Sequence, residues 1–373
     1  MSLHVILPAK EQFTDRRGGA VARVAHDGLQ GSQFQDEVTV FGQPLDEASF
    51  AGLSYQSIRT WHRFLHGRNI GLGKGYLAWL KTLPKAKRPE LIEVHGRCAL
   101  ARMIAEAVPD IPVVLVLHND PREMKGAQSL KERLHLATVL AGVFAVSNYL
   151  IRCYQDGFLP EQIDPSLFHL TAFGADRHCQ SPPPKTKTIL VVGRMVPEKG
   201  LLEAAEAAAA ILPGYPNWRF VMIGARRGNS PASSAYEKDI RQHLASLGAQ
   251  ATLLGHLPYE DVQRYQAEAE IILVPSQWQE PAGRVVIEAL MFGAALIASR
   301  RGGIPEYAEG RAMLIDTPDA HNLALAMRSL LEDPIRRKTL QKAAWDDYPF
   351  TQDAMITAID RARNNVLGRE AKI

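Results

Sequence analysis

Val191-Val-Gly-Arg-Met-Val-Pro-Glu-Lys-Gly200 is the stretch from which the architecture of this chain can be read. An apolar strand ends at Val192, Gly193 turns the backbone, and Lys199-Gly200 opens a helical pattern. Arg194 and Lys199 therefore sit five residues apart at the carboxyl end of a strand. Two cations so placed can converge on one polyanion. A diphosphate needs such neutralisation, most of all while it departs as a leaving group.

The same strand–turn–helix order extends in both directions. After it, strands are expected at Phe220–Ile223, Ala251–Leu254, Ile271–Val274, Ala295–Ala298 and Ala312–Ile315, following Thr188–Val192 itself. Helices are expected at Leu201–Leu212, Ala235–Leu247, Glu260–Ala267, Arg284–Phe292 and Ala320–Leu331. Before it, strands are expected at His4–Pro8, Val38–Phe41, Leu91–His95, Val113–His118, Val143–Ser147 and Leu167–Thr171, with helices at Ala20–Leu29, Ala99–Ala107 and Ser129–Leu140. Continuous apolar strands such as Val113-Val-Leu-Val-Leu117 suit a parallel sheet covered on both faces. The proline run at 182–184 interrupts the alternation and reads as a linker. A length of 373 residues agrees with two domains. The expectation is an α/β chain with two Rossmann-like domains, residues 1–180 and 186–348, facing across a cleft that holds the ligand. Residues 349–373, after Pro349, are expected to form a helix that crosses back to the first domain.

Composition narrows the function classes. The apolar share is 46% and the charged share 22%, as in ordinary globular proteins. Cys98, Cys153 and Cys179 fit neither a disulfide framework nor a paired metal spacing, which points to reduced thiols and a cytoplasmic setting. The N-terminal apolar run is too short for a signal peptide, and the longest nearly apolar stretch, Leu136 to Val146, is too short to span a bilayer. The net charge of +3 lies in residues 1–185, with 21 Lys/Arg against 18 Asp/Glu. Residues 48–89 hold eight bases, from Arg59 to Arg88, and no acid; Trp61, Phe64, Tyr76 and Trp79 are interleaved with them. Bases mixed with aromatics suit an anionic lipid surface, here the inner face of the plasma membrane; the plainer alternative is a solvated helix face. No nucleic-acid motif is present.

A second informative stretch is Pro275-Ser-Gln-Trp-Gln-Glu-Pro-Ala-Gly-Arg-Val-Val-Ile-Glu-Ala289. A strand runs into a loop, and a helix begins near Gly283. The first backbone N–H groups of such a helix lack internal partners and favour anions. Glu280 and Glu288 cannot serve a diphosphate directly, since like charges repel. Carboxylates accept hydrogen bonds from hydroxyls, so Glu280 suits a sugar and Glu288 a ribose.

In order along the chain, these elements resemble the retaining glycosyltransferases of family GT4, which have the GT-B fold. The Glu-x7-Glu pattern is present as Glu280 and Glu288, and the Gly-Arg…Lys-Gly element as Gly193-Arg194 and Lys199-Gly200. Arg17-Gly-Gly-Ala20, His95-Gly96, His118-Asn119, Ala145-Val-Ser-Asn148 and Gly302-Gly-Ile-Pro-Glu306 extend the likeness over nearly the whole chain. The resemblance implies a UDP- or GDP-sugar donor, a glycan or lipid-linked acceptor, a place in bacterial surface-glycan or lipopolysaccharide assembly, and no cofactor or metal. It implies that Gly193, Arg194 and Lys199 hold the donor phosphates, that Gly18 and Gly19 lie beside them, and that Pro281, Ala282, Gly283, Arg284 and Val285 bring the helix start to the donor. It assigns the catalytic work to His118, Arg194, Lys199 and Glu280.

Three departures qualify it. Pro281-Ala-Gly-Arg284 stands where Pro-Phe-Gly-Leu is commoner, so Arg284 adds a cation near the phosphates or points to solvent. Phe173-Gly-Ala-Asp176 replaces the usual Asn-Gly-Val-Asp turn. Asn119 follows His118 where aspartate is usual. Rival readings are a sugar-nucleotide 2-epimerase of the same fold, a nonenzymatic sugar-nucleotide-binding protein, and a nicotinamide dehydrogenase built on Gly71-Leu-Gly-Lys-Gly75, which follows no strand. If the basic stretch meets lipid, the protein cosediments with anionic vesicles at low salt and is released by high salt. No cosedimentation at low salt would reject that surface.

Overall fold

The computed structural model describes residues 2–60, 67–177, 179–225 and 235–369. The chain divides into two compact units. Residues 1–174 and 352–373 form the first, and residues 175–351 the second.

The first unit holds a parallel sheet built from β1 (Leu3–Ile6), β2 (Val38–Gly42), β3 (Ser54–Ser57), β4 (Leu91–His95), β5 (Val113–Leu117), β6 (Gly142–Ala145) and β7 (Phe168–Leu170). Its strand order is β3-β2-β1-β4-β5-β6-β7. The interior strands β1, β4, β5 and β6 are buried at every residue; β5 and β6 accordingly read as unbroken apolar runs, while β1 and β4 also bury His4, Glu93 and His95. β3, Ser-Tyr-Gln-Ser, is an exposed edge strand with no apolar face, and so gave no signal in the sequence.

Helix α1 (Ala20–Asp27) follows β1 and helix α2 (Arg68–Lys81) precedes β4. The glycines of Gly71-Leu-Gly-Lys-Gly75 lie inside α2 rather than in a phosphate-binding turn. A Cβ at Gly73 would lie 2.4 Å from the Leu100 and Met103 side chains, both on α3 (Cys98–Ala107). These glycines serve close helix packing, and the dehydrogenase reading falls. On α2, Tyr76 and Leu80 turn into the core while Lys74 and Lys81 stay exposed. Trp61, Arg63 and Phe64 lie outside the described residues.

Two further helices of this unit are α4 (Leu130–Val139) and α5 (Asn148–Gln155). A capping box starts α4: the Ser129 hydroxyl accepts from the Glu132 N–H, and the Glu132 carboxylate accepts from the Ser129 N–H.

The second unit repeats the plan. Strands β8 (Thr186–Val192), β9 (Arg219–Ile223), β10 (Ala251–Leu254), β11 (Ala269–Val274), β12 (Ala295–Ser299) and β13 (Ala312–Ile315) are parallel in the order β10-β9-β8-β11-β12-β13. Helix α6 (Leu201–Ile211) lays Ala204, Ala205, Ala207 and Ala208 into the core. Helices α7 (Ala235–Ala245), α8 (Tyr259–Glu268), α9 (Arg284–Met291), α10 (Ile304–Ala308), α11 (Ala320–Glu332) and α12 (Pro334–Asp346) complete the unit. The Asp319 side chain caps α11 by accepting from Asn322 N at 2.8 Å. No helix among the described residues is long and apolar enough to cross a membrane.

The chain passes between the units at Gly174–Ala175, ahead of the proline run, and again at Thr351–Gln352. The reason is local. Lys185, directly after the prolines, donates to the carbonyls of Ala267 and Phe292 at 2.7 and 2.8 Å, which ties that segment to the second unit. On the return, Tyr348 and Phe350 remain on the second unit through Ala175.

The last helix, α13 (Gln352–Val366), belongs to the first unit, as the crossing-back expectation required. A buried ionic cluster anchors it. Arg363 donates to both oxygens of Glu93, at 2.7 and 3.1 Å, and to Asp360 and Ser32 at 2.9 and 3.0 Å. Burial alone pushes the Glu93 carboxyl up, but the adjacent Arg363 and His95 outweigh it and hold Glu93 at about 2. His4, on β1, is pushed down to about 4 by burial; its Nδ1 lies 2.8 Å from the Tyr76 hydroxyl.

Both shifts link stability to pH with the same sign. The unfolded chain takes up a proton at His4 below 6.5 and at Glu93 below 4.5, while the folded unit refuses each until about 4 and about 2. The first unit should therefore keep full stability above pH 6.5 and lose it in two stages, from 6.5 to 4 and from 4.5 to 2. Thermal melts across this range check it; a stability rising on acidification would contradict the assignment.

Candidate active site

The order of the second sheet reverses between β8 and β11, and the loops that leave these two neighbours lie side by side. Ligands of such sheets bind outside the carboxyl ends of strands at this reversal. Three glycines permit the approach. Gly200, with φ +69, would place a Cβ 1.9 Å from the Pro275 carbonyl. Gly224, with φ +152, would place one 1.7 Å from the Gly193 carbonyl. Gly302, with φ +56, would place one 2.0 Å from the Glu280 carbonyl. The loops are also bonded directly, Gln277 N donating to Glu198 O at 2.9 Å.

This packing brings Lys199 onto Glu280. The Lys199 ammonium donates to Glu280 Oε1, and the Ser276 hydroxyl donates to the same oxygen at 2.7 Å. The ammonium also lies 5.5 Å from the Trp278 ring centroid. Glu280 is only 5% exposed. Its backbone is held by Gly303 N, which donates to Glu280 O at 2.7 Å, while the Gln279 side chain accepts from Gly302 N. Arg194, two residues past β8, is exposed and has no ion pair or side-chain hydrogen bond among the described residues.

Glu288 lies on α9, whose N-cap Gly283 has φ +88. Three side chains fix its carboxylate. Tyr259 and Arg284 donate to Oε1, each at 3.1 Å, and Gln266 donates to Oε2 at 2.8 Å. Burial first, then the Glu288 charge, pushes the Tyr259 phenol up to about 12, so it stays a donor. Of the four lone-pair positions of the carboxylate, these bonds leave one on Oε2. Arg284 thus spends its charge on Glu288 and stacks 5.5 Å over Tyr259; it does not extend into solvent. Pro281 and Gly283 precede the helix and Val285 is its second residue, all three partly buried, while Ala282 is fully buried.

The remaining expected residues lie in the first unit. Gly18 and Gly19 end the loop between β1 and α1. A Cβ at Gly18 would lie 2.5 Å from the Thr14 carbonyl, and one at Gly19 2.5 Å from a Glu11 carboxylate oxygen. His118, just past β5, is 8% exposed. Its Nε2 lies 3.0 Å from His95 Nδ1, and the two rings stack with centroids 5.2 Å apart. Burial, with His95 and Arg97 adding to it, holds the His118 pKa well below 6.5, so the ring is neutral. Asn119 is exposed, and the next carboxylate, Asp120, is tied to Arg122 at 2.7 Å. The partner of His118 is another histidine.

Residues 175–346 match a family model described as glycosyl transferases group 1. The match spans nearly all of the second unit. The chain is 27% identical over 333 residues to D-inositol 3-phosphate glycosyltransferase of Corynebacterium urealyticum, covering 86% of this chain and 73% of that protein. It is 25% identical over 255 residues to lipopolysaccharide 1,2-N-acetylglucosaminetransferase of Salmonella typhimurium, covering 64% of this chain and 60% of that one. Among solved structures, HepE of Anabaena in complex with UDP-glucose superposes with a TM-score of 0.75 at 17% identity, covering 98% of this chain and 100% of that one. The fold of the chain is GT-B, with two Rossmann-like domains.

Ser276, Trp278, Tyr259, Gln266 and His95 support the site without having been expected in it. Ser276 and Trp278 stood inside the quoted motif, where only the glutamates carried a chemical argument. Tyr259 and Gln266 lie a helix away in sequence and gave no signal.

Alanine at Gly200 or Gly302 should cost about 2 kcal/mol or more, since both φ and contact forbid a Cβ. Alanine at Gly214, where a Cβ meets nothing within 4 Å, should be near neutral. Urea unfolding checks the contrast; equal effects at the three sites would remove the packing argument.

Proposed function

We propose that this chain is a glycosyltransferase that moves a sugar from a UDP- or GDP-sugar to an acceptor hydroxyl, with retention of anomeric configuration and without a metal. The observation that carries this is the Lys199–Glu280 pair at the reversal of strand order, with the exposed Arg194 on the same loop as Lys199. A nucleotide sugar presents a diphosphate next to a ring of hydroxyls. A cation and a carboxylate held side by side match that juxtaposition.

The roles divide by charge. Arg194 and Lys199 take the negative charge that grows on the departing diphosphate, the work a metal ion would otherwise do. As Lys199 turns to phosphate, Glu280 keeps its Ser276 bond and accepts from a sugar hydroxyl. Glu288 reads the ribose with its remaining lone pair, its orientation fixed by Tyr259, Arg284 and Gln266. Neutral His118 bonds the transferred sugar, and the backbone around Gly18 and Gly19 closes on the phosphates. Attack on the front face, with the departing phosphate oxygen taking the acceptor proton, needs no protein nucleophile.

The acceptor belongs to a bacterial surface glycan or its lipid-linked precursor. The basic stretch of residues 59–88 and the lipopolysaccharide relative support this reading, and both suit an enzyme peripheral at the inner face of the membrane.

A panel of UDP-, GDP- and ADP-sugars, followed by thermal shift and by release of nucleotide, tests the proposal. One donor class should stabilise the protein and be turned over, with no loss of rate in EDTA. Lys199→Ala should lower turnover by about 100-fold, since such a cation contributes ~3 kcal/mol to the transition state, while the melting profile stays intact. Formation of a 2-epimer in place of transfer, or near-normal turnover by the variant, would overturn the assignment.

A further inference from the structure

The first unit contains a chain of buried polar groups that the proposed reaction does not use. It begins at His118 Nε2 and passes to His95 Nδ1 at 3.0 Å. His95 Nε2 lies 3.9 Å from Glu93 Oε2. Glu93 is bonded through both oxygens to Arg363 of α13, and Arg363 in turn holds Asp360 and Ser32. All six residues are buried.

We infer that Glu93 and His95 are positioning residues that fix the tautomer of His118, placing its proton on Nε2 and leaving Nδ1 as a hydrogen-bond acceptor for a substrate hydroxyl. This rests on the reading of His118 as a sugar contact.

The argument is one of proton counting along the chain. At a 3.0 Å contact between two ring nitrogens, one must donate and the other accept. The choice is set at the far end of His95. Its Nε2 is buried and has no hydrogen-bond partner; its nearest charged neighbour is the Glu93 carboxylate. A proton on that nitrogen is attracted by the anion, whereas a lone pair is repelled by it. With the proton on Nε2, Nδ1 of His95 carries a lone pair and accepts. His118 must then donate from Nε2, and its own Nδ1 is left unprotonated.

Arg363 bonds both oxygens of Glu93, and Oε2 still lies 3.9 Å from His95 Nε2. Asp360, the other anion of the cluster, is satisfied by Ser32 and the Gln33 N–H as well as by Arg363.

The His118 ring is oriented so that the determined nitrogen faces inward. Nε2 meets His95, and the Gly96 Cβ position lies 3.7 Å from the adjacent Cδ2. Nδ1 has no hydrogen-bond partner among the described residues. A neutral histidine fixed in this way accepts from a hydroxyl and cannot donate to a carbonyl or a phosphate oxygen through that nitrogen.

Long-range nitrogen–proton correlation spectra of the full-length protein, labelled with 15N-histidine, read the tautomer directly and need no substrate. His118 is assigned by comparison with His118→Asn. The expected result at pH 8 is a protonated Nε2 and an unprotonated Nδ1 at His118. His95→Phe, which leaves the Glu93–Arg363 pair intact, should release His118 into a mixture of tautomers. His95→Asn, whose amide oxygen can replace Nδ1 as acceptor, should restore the single one. With a donor identified, His95→Phe should lower kcat about tenfold or more with the donor KM little changed, and His95→Asn should recover most of the loss. Protonated Nδ1 in the native protein, or an unchanged tautomer in His95→Phe, would overturn the inference. A correct tautomer in a protein that turns over no nucleotide sugar would instead reject the proposed reaction.

Discussion

At Gly200, Gly224 and Gly302 the second unit brings loop backbone closer to loop backbone than any side chain allows. The parallel sheet sets the strand ends about one strand spacing apart, and the glycines let the emerging loops close what remains. Everything ionic in the site follows from that approach. Lys199 and Glu280 are 81 positions apart in sequence, yet they share a bond because Gly200 seats one loop on the carbonyl of Pro275. Gly302 performs the same service for the backbone of Glu280 from a third strand.

The two units hold charge in opposite ways. In the first, Glu93, Asp360 and Arg363 are sealed from water and saturated with partners, an arrangement that locates α13 and is costly to break. In the second, Lys199 is half-buried and Arg194 exposed, each able to change partner. The first kind of charge fixes geometry, and the second is available to a ligand. Glu288 stands between these extremes. It is buried and held by three donors, but a lone pair remains.

The sequence was legible where burial leaves a periodic trace. Val113–Leu117 and Ala251–Leu254 emerged with their ends nearly or wholly right because each is bounded by turn residues. Ser54–Ser57 was invisible, since an exposed edge strand has no apolar face to display. Gly71, Gly73 and Gly75 concealed a helix, because their purpose is contact with Leu100, Met103 and the Arg59 carbonyl rather than local conformation. At the site, the charged residues could be named because diphosphates and hydroxyls demand them. Their partners could not. Tyr259, Gln266 and His95 reach Glu288 and His118 only through tertiary packing, and their types are unremarkable in isolation. Arg284 shows the limit most clearly, since its charge suited a phosphate while its position one turn before Glu288 decided otherwise.

The chain enters the second unit at Ala175 and returns to the first at Gln352, so one compact body is inserted into the other. This has a consequence for synthesis. The inserted body is contiguous and can be complete while its host still lacks α13. Until Arg363 emerges, Glu93 is a carboxylate in the middle of a sheet with no guanidinium to receive it. The host must therefore wait, partly solvated, until α13 has been made before its core can close.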